Sequence, residues 1–250
     1  MRAVSRTDTG RVRVKNEDAV LIDPAGLYIV ADGMGGHRAG EIASSIAAQS
    51  LRRSLSGAPF NPGALAEAVS LANQAVYEAA RSRVECQGMG TTITLLWAAG
   101  SRGSGALIAQ IGDSRAYLLR DDRLHRCTRD HSIVDEMLRK KLITPSQARV
   151  HPDRSVITRA VGVASAVKPD LFEWDRQDGD LWLLCSDGLT DMLDDAAIAS
   201  ILRSLPPEQA ADTLLSEALE RGGPDNISIL LVSDAESGDT PPSRRGKEAG

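Results

Sequence analysis

Short apolar runs that stop on an acidic or glycine-rich stretch alternate along this chain with longer segments in which apolar residues recur every three or four positions. Leu27-Tyr28-Ile29-Val30-Ala31, bounded by Pro24-Ala25-Gly26 and by Gly33-Met34-Gly35-Gly36, is too short for a helix and reads as a strand buried on both faces. The runs Ile93 to Ala98, Ala106 to Ile111, Ala116 to Leu119, Leu181 to Cys185 and Ile227 to Val232 read the same way, and residues 2–8 and 18–23 give short strands around a polar loop. The stretch from Ile93 through Leu124-His125-Arg126, with turns at Gly112-Asp113-Ser114 and Asp121-Asp122, predicts an antiparallel meander. Helical spacing appears at Ile42, Ile46, Ala47 and Leu51, ended by Ser56-Gly57-Ala58-Pro59, and again at Leu65, Val69, Ala72 and Val76 after Pro62-Gly63. These two Ala-rich helices should lie together on a sheet face. Asp194-Asp195 and Pro206-Pro207 open two more, the second turning Ala210, Leu214 and Ala218 to the core.

Residues 130–153 break this rhythm. Val134, Met137 and Leu138 make a short amphipathic helix, Thr144-Pro145-Ser146-Gln147 starts another, and His151-Pro152-Asp153 closes an insert that is either a flap over a site or a surface excursion. From Ala235 to Gly250 large apolar groups are nearly absent, which predicts a disordered tail after a domain spanning 1–234.

Composition narrows the function classes. The 250 residues suffice for one sizeable domain, and no Pro/Ser-rich linker divides them. A net charge of −5 without a Lys/Arg block in the body argues against a nucleic-acid binder. Three cysteines with no C-x-x-C pair point to reduced thiols, and the absence of a signal-like or membrane-length apolar stretch predicts a cytoplasmic, monomeric protein without a membrane partner.

The candidate chemistry lies in the acids. Asp32 and Asp187 each end a buried apolar run and are followed by Gly, and Asp225 immediately precedes another such run. A carboxylate at a buried strand end is costly unless paired or bound to a metal, and three converging acids call for cations. Hard oxygen ligands suit Mg²⁺, Mn²⁺ or Ca²⁺; the four histidines lack H-x-x-x-H spacing, and the acids are too scattered for an EF-hand. Dispersed ligands are typical of two-metal hydrolytic sites, with ions about 3.5–4 Å apart and a bridging water as nucleophile. The glycines at 33, 35, 36 and 40 match neither a P-loop nor a dinucleotide fingerprint, and there is no G-x-S-x-G elbow.

Six ordered motifs carry a resemblance: Arg13-x-x-Asn16-Glu17-Asp18, Ala31-Asp32-Gly33-Met34-Gly35-Gly36-His37, Gly88-Met89-Gly90-Thr91-Thr92, Ile111-Gly112-Asp113-Ser114-Arg115, Cys185-Ser186-Asp187-Gly188 and Gly223-Pro224-Asp225-Asn226. Over residues 5–233 the chain resembles the bacterial metal-dependent (PPM, type 2C) protein Ser/Thr phosphatases. The resemblance implies an α+β, four-layer α-β-β-α sandwich of two antiparallel sheets flanked by helices, with a flap insertion. It also implies two Mn²⁺ or Mg²⁺ ions, with Asp32 bridging both and the Gly33 carbonyl on one. Asp187 and Asp225 would bind the other ion, Glu17 and Asp18 would act partly through water, and Asp113 with Asp187 would hold a third. Arg13 would hold the substrate phosphate with its bidentate fork. Met34 stands where many eukaryotic members carry a His, which leaves His37 or a metal-bound water as the acid for the leaving alcohol.

The implied reaction is hydrolysis of phosphoserine and phosphothreonine esters by a metal-bridging hydroxide, on proteins phosphorylated by a cognate Ser/Thr kinase. A hydrolase of small phosphate esters and a non-catalytic phosphoprotein binder are the alternatives. Taken singly, Asp113 is also a plain turn residue, Asp191 a local cap, Arg13 a solvated arginine, and Asn226 the residue that orients the loop beside Asp225.

Overall fold

The computed structural model describes residues 1–35, 39–98 and 105–234. The chain runs β1 (Arg2–Asp8), β2 (Ala19–Asp23), β3 (Leu27–Ala31), β4 (Gly33–Met34), α1 (Gly40–Leu55), α2 (Pro62–Ser82), β5 (Gly90–Thr91), β6 (Ile93–Trp97), β7 (Ala106–Ile111), β8 (Arg115–Arg120) and β9 (Arg123–Arg126). It continues through α3 (Ile133–Arg139), α4 (Pro145–Arg149), β10 (Asp170–Trp174), β11 (Leu181–Cys185), α5 (Asp187–Thr190), α6 (Asp195–Ser204), α7 (Pro207–Glu220) and β12 (Ile227–Ser233).

Two five-stranded antiparallel sheets form, in the orders β1-β12-β11-β8-β9 and β10-β7-β6-β3-β2, beside a small β4-β5 ladder. Alternation along β3 shows why they stack. Leu27, Ile29 and Ala31 enter the core beneath α1 and α2 with Leu51, Leu65 and Val69, whereas Tyr28 and Val30 enter the core between the sheets with Leu118, Trp182 and Leu230. On the other side Leu183 and Cys185 of β11 pack with Ile198 and Leu202 of α6 and Leu214 of α7. Helix, sheet, sheet and helix are thus four layers around three apolar seams, and a strand apolar on both sides has a seam on each.

Helix starts follow local chemistry. Asn61 accepts a hydrogen bond from the Ala64 N–H at 2.9 Å with Pro62 at the first position, Asp194 does the same for Ala197 at 2.9 Å, and Thr144 with Gln147 makes a capping box on α4.

One expectation is corrected. The meander does not continue from β7 to β8, because β7 pairs with β6 and β10 while β8 pairs with β11 and β9 in the other sheet. Gly112-Asp113-Ser114 is therefore a corner between layers. A wholly buried β7 gives no clue to which sheet its successor joins; Leu118 of β8 settles it by filling the seam between the sheets. The corner needs glycine, since Gly112 has φ +96° and a Cβ there would lie 2.5 Å from the Thr92 side chain. The edge strand β10 and the β4-β5 ladder were not anticipated from the pattern, being short and only partly apolar. No described helix is long and apolar enough to cross a membrane. His37 and the tail from residue 235 lie outside the described residues.

Candidate active site

Antiparallel pairing brings the loops that carry the acids to one end of the sandwich. Asp32 follows β3, Asp187 follows β11, Asp225 precedes β12, Asp113 sits on the corner before β8, and Glu17 and Asp18 precede β2. Arg13, Glu17, Asp32, Gly33, Asp113, Asp187 and Asp225 line a single cleft of about 580 Å³, with Asp18 in contact beneath it through Ser186.

The carboxylates keep one face toward the cleft while protein surrounds their other sides, and the energetic consequence is large. Burial, and after it the charges of Asp18, Asp187 and Asp113, holds the Asp32 carboxyl well above the usual carboxylate range. Asp187 is raised in the same way by burial and then by Asp113 and Asp191. Burial pushes Asp18 up to about 6 against the pull of Ser228 and Ser186, and pushes Asp113 up to about 7 with help from Asp130. Glu17 is raised by burial and by Glu41. Among the described residues no three His, Cys, Asp or Glu side chains close into a ready-made ligand group. Two oxygens of the cluster nonetheless stand buried and without a partner, Asp18 Oδ1 and Asp187 Oδ1; the other such carboxylate oxygen, Glu41 Oε2, belongs to an acid that Lys15 already holds at 2.8 Å. Clustered, uncompensated carboxylates with orphaned oxygens fit hard divalent cations; without such a charge the cluster is stable only by keeping protons.

Neighbouring groups fix these acids. The Asp32 N–H donates to Thr92 Oγ1 at 2.9 Å, and the Asp32 carbonyl accepts from the Thr92 N–H at 2.8 Å and the Thr91 hydroxyl at 2.9 Å. Gly33 is crowded so tightly that a Cβ would lie 2.2 Å from the Gly40 carbonyl oxygen and 2.5 Å from that of Glu17. Ser186 Oγ donates to Asp18 Oδ2 at 2.9 Å and accepts the Ser228 N–H at 2.9 Å. Asn226 donates to the carbonyls of Thr9 and Lys15 at 3.0 and 2.9 Å while its Oδ1 accepts the Glu17 N–H at 2.8 Å. It ties the loop beside Asp225 to the loop carrying Arg13, as an amide side chain is suited to do.

Sequence reasoning missed His131. Its backbone N–H donates to the Gly112 carbonyl at 2.8 Å, and the Gly112 N–H returns a bond to Nδ1 at 3.2 Å. Nε2 then faces Asp170 Oδ2 at 3.2 Å. This buried ring clamps the corner bearing Asp113; burial lowers its pKa, and Arg159 Nη1 also lies 3.2 Å from Nε2. No local signal marked it, because the residue it clamps, Gly112, lies nineteen positions earlier.

Two pairings near the rim were not part of the sequence reading. Arg13 Nη2 pairs with Asp225 Oδ2 at 2.6 Å, so the expected phosphate reader and an expected ligand hold each other across the rim. Asp191 is the C-cap of α5, as expected of a local cap, its backbone N–H bonding the Asp187 carbonyl at 2.8 Å, and its carboxylate faces Arg154, just after the insert, at 3.7 Å.

A sequence profile of protein phosphatase 2C matches residues 11–221. The chain belongs to the protein phosphatase 2C family. Among its relatives, the serine/threonine phosphatase stp of Listeria innocua is 40% identical over 243 residues, covering 93% of this chain and 95% of that one. The serine/threonine protein phosphatase PstP of Mycobacterium tuberculosis is 38% identical over 254 residues, covering all of this chain but 48% of PstP, so the chain spans about half of that phosphatase 2C relative. The crystal structure of the PstP catalytic domain in complex with two manganese ions superposes with a TM-score of 0.83 at 37% identity, over 92% of this chain and 96% of that one.

Proposed function

We propose that this phosphatase 2C member is a metal-dependent protein serine/threonine phosphatase that hydrolyses phosphoserine and phosphothreonine in proteins. The observation that carries the reading is the convergence of Asp18, Asp32, Asp113 and Asp187 at one sandwich end, with two buried carboxylate oxygens left without partners. The family, in which PstP binds two manganese ions, supports it.

Asp32, the Gly33 carbonyl, Asp187, Asp225, Glu17 and Asp18 would hold two Mn²⁺ or Mg²⁺ ions, and Asp113 with Asp187 a third. When bound, such ions lower the pKa of water and place Lewis-acid charge at the phosphoryl group. The chain's own residues supply position. Thr91 and Thr92 hold the Asp32 backbone, Ser186 aims Asp18, and His131 steadies the corner of Asp113. Arg13 leaves Asp225 to grip two phosphate oxygens, a move its half-exposed side chain permits. Water then adds across the P–O bond, its oxygen going to phosphorus and a proton to the departing serine or threonine oxygen. A cognate Ser/Thr kinase supplying the substrates, an intracellular site of action and a single catalytic domain over 1–234 complete the proposal.

The test is hydrolysis of a phosphothreonine peptide and of p-nitrophenyl phosphate with Mn²⁺, with chelator, and by Asp32→Asn. Turnover of both that chelator abolishes, and a loss of about a thousandfold or more in Asp32→Asn, are expected. Undiminished turnover under chelation would remove the metal-dependent reading, and turnover of the small ester alone would favour a small-ester hydrolase.

A further inference from the structure

The loop between β1 and β2 reads Arg11-Val12-Arg13-Val14-Lys15, in which two aliphatic residues flank the arginine of the rim. Both valines are in water: Val14 is 96% exposed and Val12 69%. Of the large apolar side chains exposed among the described residues, these two alone line the acidic cleft; the others, such as Val84 and Val150, lie elsewhere. Ile157, on the segment after the insert, and Met34, after Asp32, add apolar surface to the same cleft. An acidic cleft with an arginine has no evident use for two bare valines, and nothing among the described residues covers them. Their loop is held in place, because Asn226 bonds the carbonyls of Thr9 and Lys15 on either side of it and the Arg11 N–H bonds the Gly223 carbonyl at 2.7 Å. The valines are therefore presented from a fixed backbone rather than from a free strand.

Resting on the phosphatase reading above, we infer that Val12 and Val14 form an apolar docking strip for aliphatic residues within two positions of the phosphorylated serine or threonine of a protein substrate. Reach supports that occupant. Consecutive Cα atoms are about 3.8 Å apart, so both valines lie within one residue of Arg13, and a peptide whose phosphate Arg13 holds has its flanking residues within two residue lengths of the strip. A second copy of the chain is the weaker occupant, since two valine side chains offer far less than the roughly 1,200 Å² of a small stable interface. The strip rewards contact that a small phosphate ester lacks, and this surface sets which phosphorylated sequences are preferred.

The experiment compares kcat/KM, with Mn²⁺ and the whole chain, for two phosphothreonine peptides identical except for valine or serine at the positions directly before and after the phosphothreonine. Wild type should prefer the valine peptide by about tenfold, mainly through KM, the scale of burying about one valine side chain. In Val12→Ser/Val14→Ser the preference should fall to within about twofold, with the melting temperature unchanged because neither side chain is packed. Val14→Leu, which keeps the apolar surface, should retain it. An equal wild-type rate on the two peptides overturns the inference. So does a double variant that keeps the ratio, one that loses both peptides and p-nitrophenyl phosphate by a common factor, or one that instead dissociates a dimer on size exclusion. Hydrolysis of both peptides without a flank preference would leave the phosphatase reading standing and remove the strip alone; no hydrolysis of peptide or p-nitrophenyl phosphate would remove both.

Discussion

The two ends of the sandwich bury carboxylates in opposite ways. At the end where β12 finishes and β11 begins, Arg176 grips both oxygens of Asp234 at 3.1 and 2.9 Å with exposures of 3% and 5%, and Arg120 grips both oxygens of Asp180 at 2.8 and 2.7 Å. The Asp180 carboxylate also accepts the Gln177 N–H at 2.9 Å. At the other end of the same strands no arginine among the described residues pairs with Asp32, Asp187 or Asp18, and Asp113 feels Arg115 only as a charge while that guanidinium bonds Asp130 at 2.8 Å. Buried acids by themselves therefore say little about function. A fork of hydrogen bonds makes a carboxylate part of the scaffold, whereas an orphaned oxygen marks a place left for a cation. Arg13 on Asp225 is the intermediate case, a half-exposed pair at the rim that can open.

That comparison can be broken from either side. The largest stability effect belongs to the paired end: Arg176→Ala leaves Asp234 buried and alone, and chemical denaturation should show a loss of about 3–5 kcal/mol, with Arg176→Met/Asp234→Leu recovering most of it. At the unpaired end, Mn²⁺ at a hundred times its dissociation constant should stabilise the fold by about 2.7 kcal/mol, visible as a rise in melting temperature that Asp32→Asn abolishes. The pH dependence follows from the same groups. Folded Asp18 and Asp113 hold their protons to about 6 and about 7, whereas the unfolded chain releases them near pH 4, at about 3.9. Folding thus takes up protons in that window, so without metal the stability should fall as pH rises from about 4 through about 7, and Mn²⁺ should flatten the slope. A metal-free protein whose stability rises over that range would contradict the uncompensated cluster. The smallest effect is local: Ser186→Ala removes the donor to Asp18 and the acceptor for Ser228, and should cost about 1–2 kcal/mol in the metal-free protein while weakening Mn²⁺ binding measured by calorimetry.

How much of this was legible follows from range. Asp32 and Asp187 announced themselves because each ends a run of consecutive apolar residues, and a carboxylate at the edge of a doubly buried strand is improbable unless something uses it. The starts of α2, α4 and α6 were legible in the same way, since a cap is settled by neighbours three residues apart. His131 was not legible, because its role is a contact with Gly112, nineteen residues earlier, and nothing within a few positions of it encodes that.

The amino-acid order by itself determined most strands and helices, the motif series and the chemical character of the site, because those depend on periodicity, capping and residue type over short distances. Only the tertiary structure decided that the chain changes sheets at Gly112, that Arg13 rests on Asp225, and which buried acids are forked by arginine and which are left open. Those outcomes are set by which distant surfaces meet when three apolar seams close together. Pairing energy between groups hundreds of residues apart leaves no mark on the local pattern.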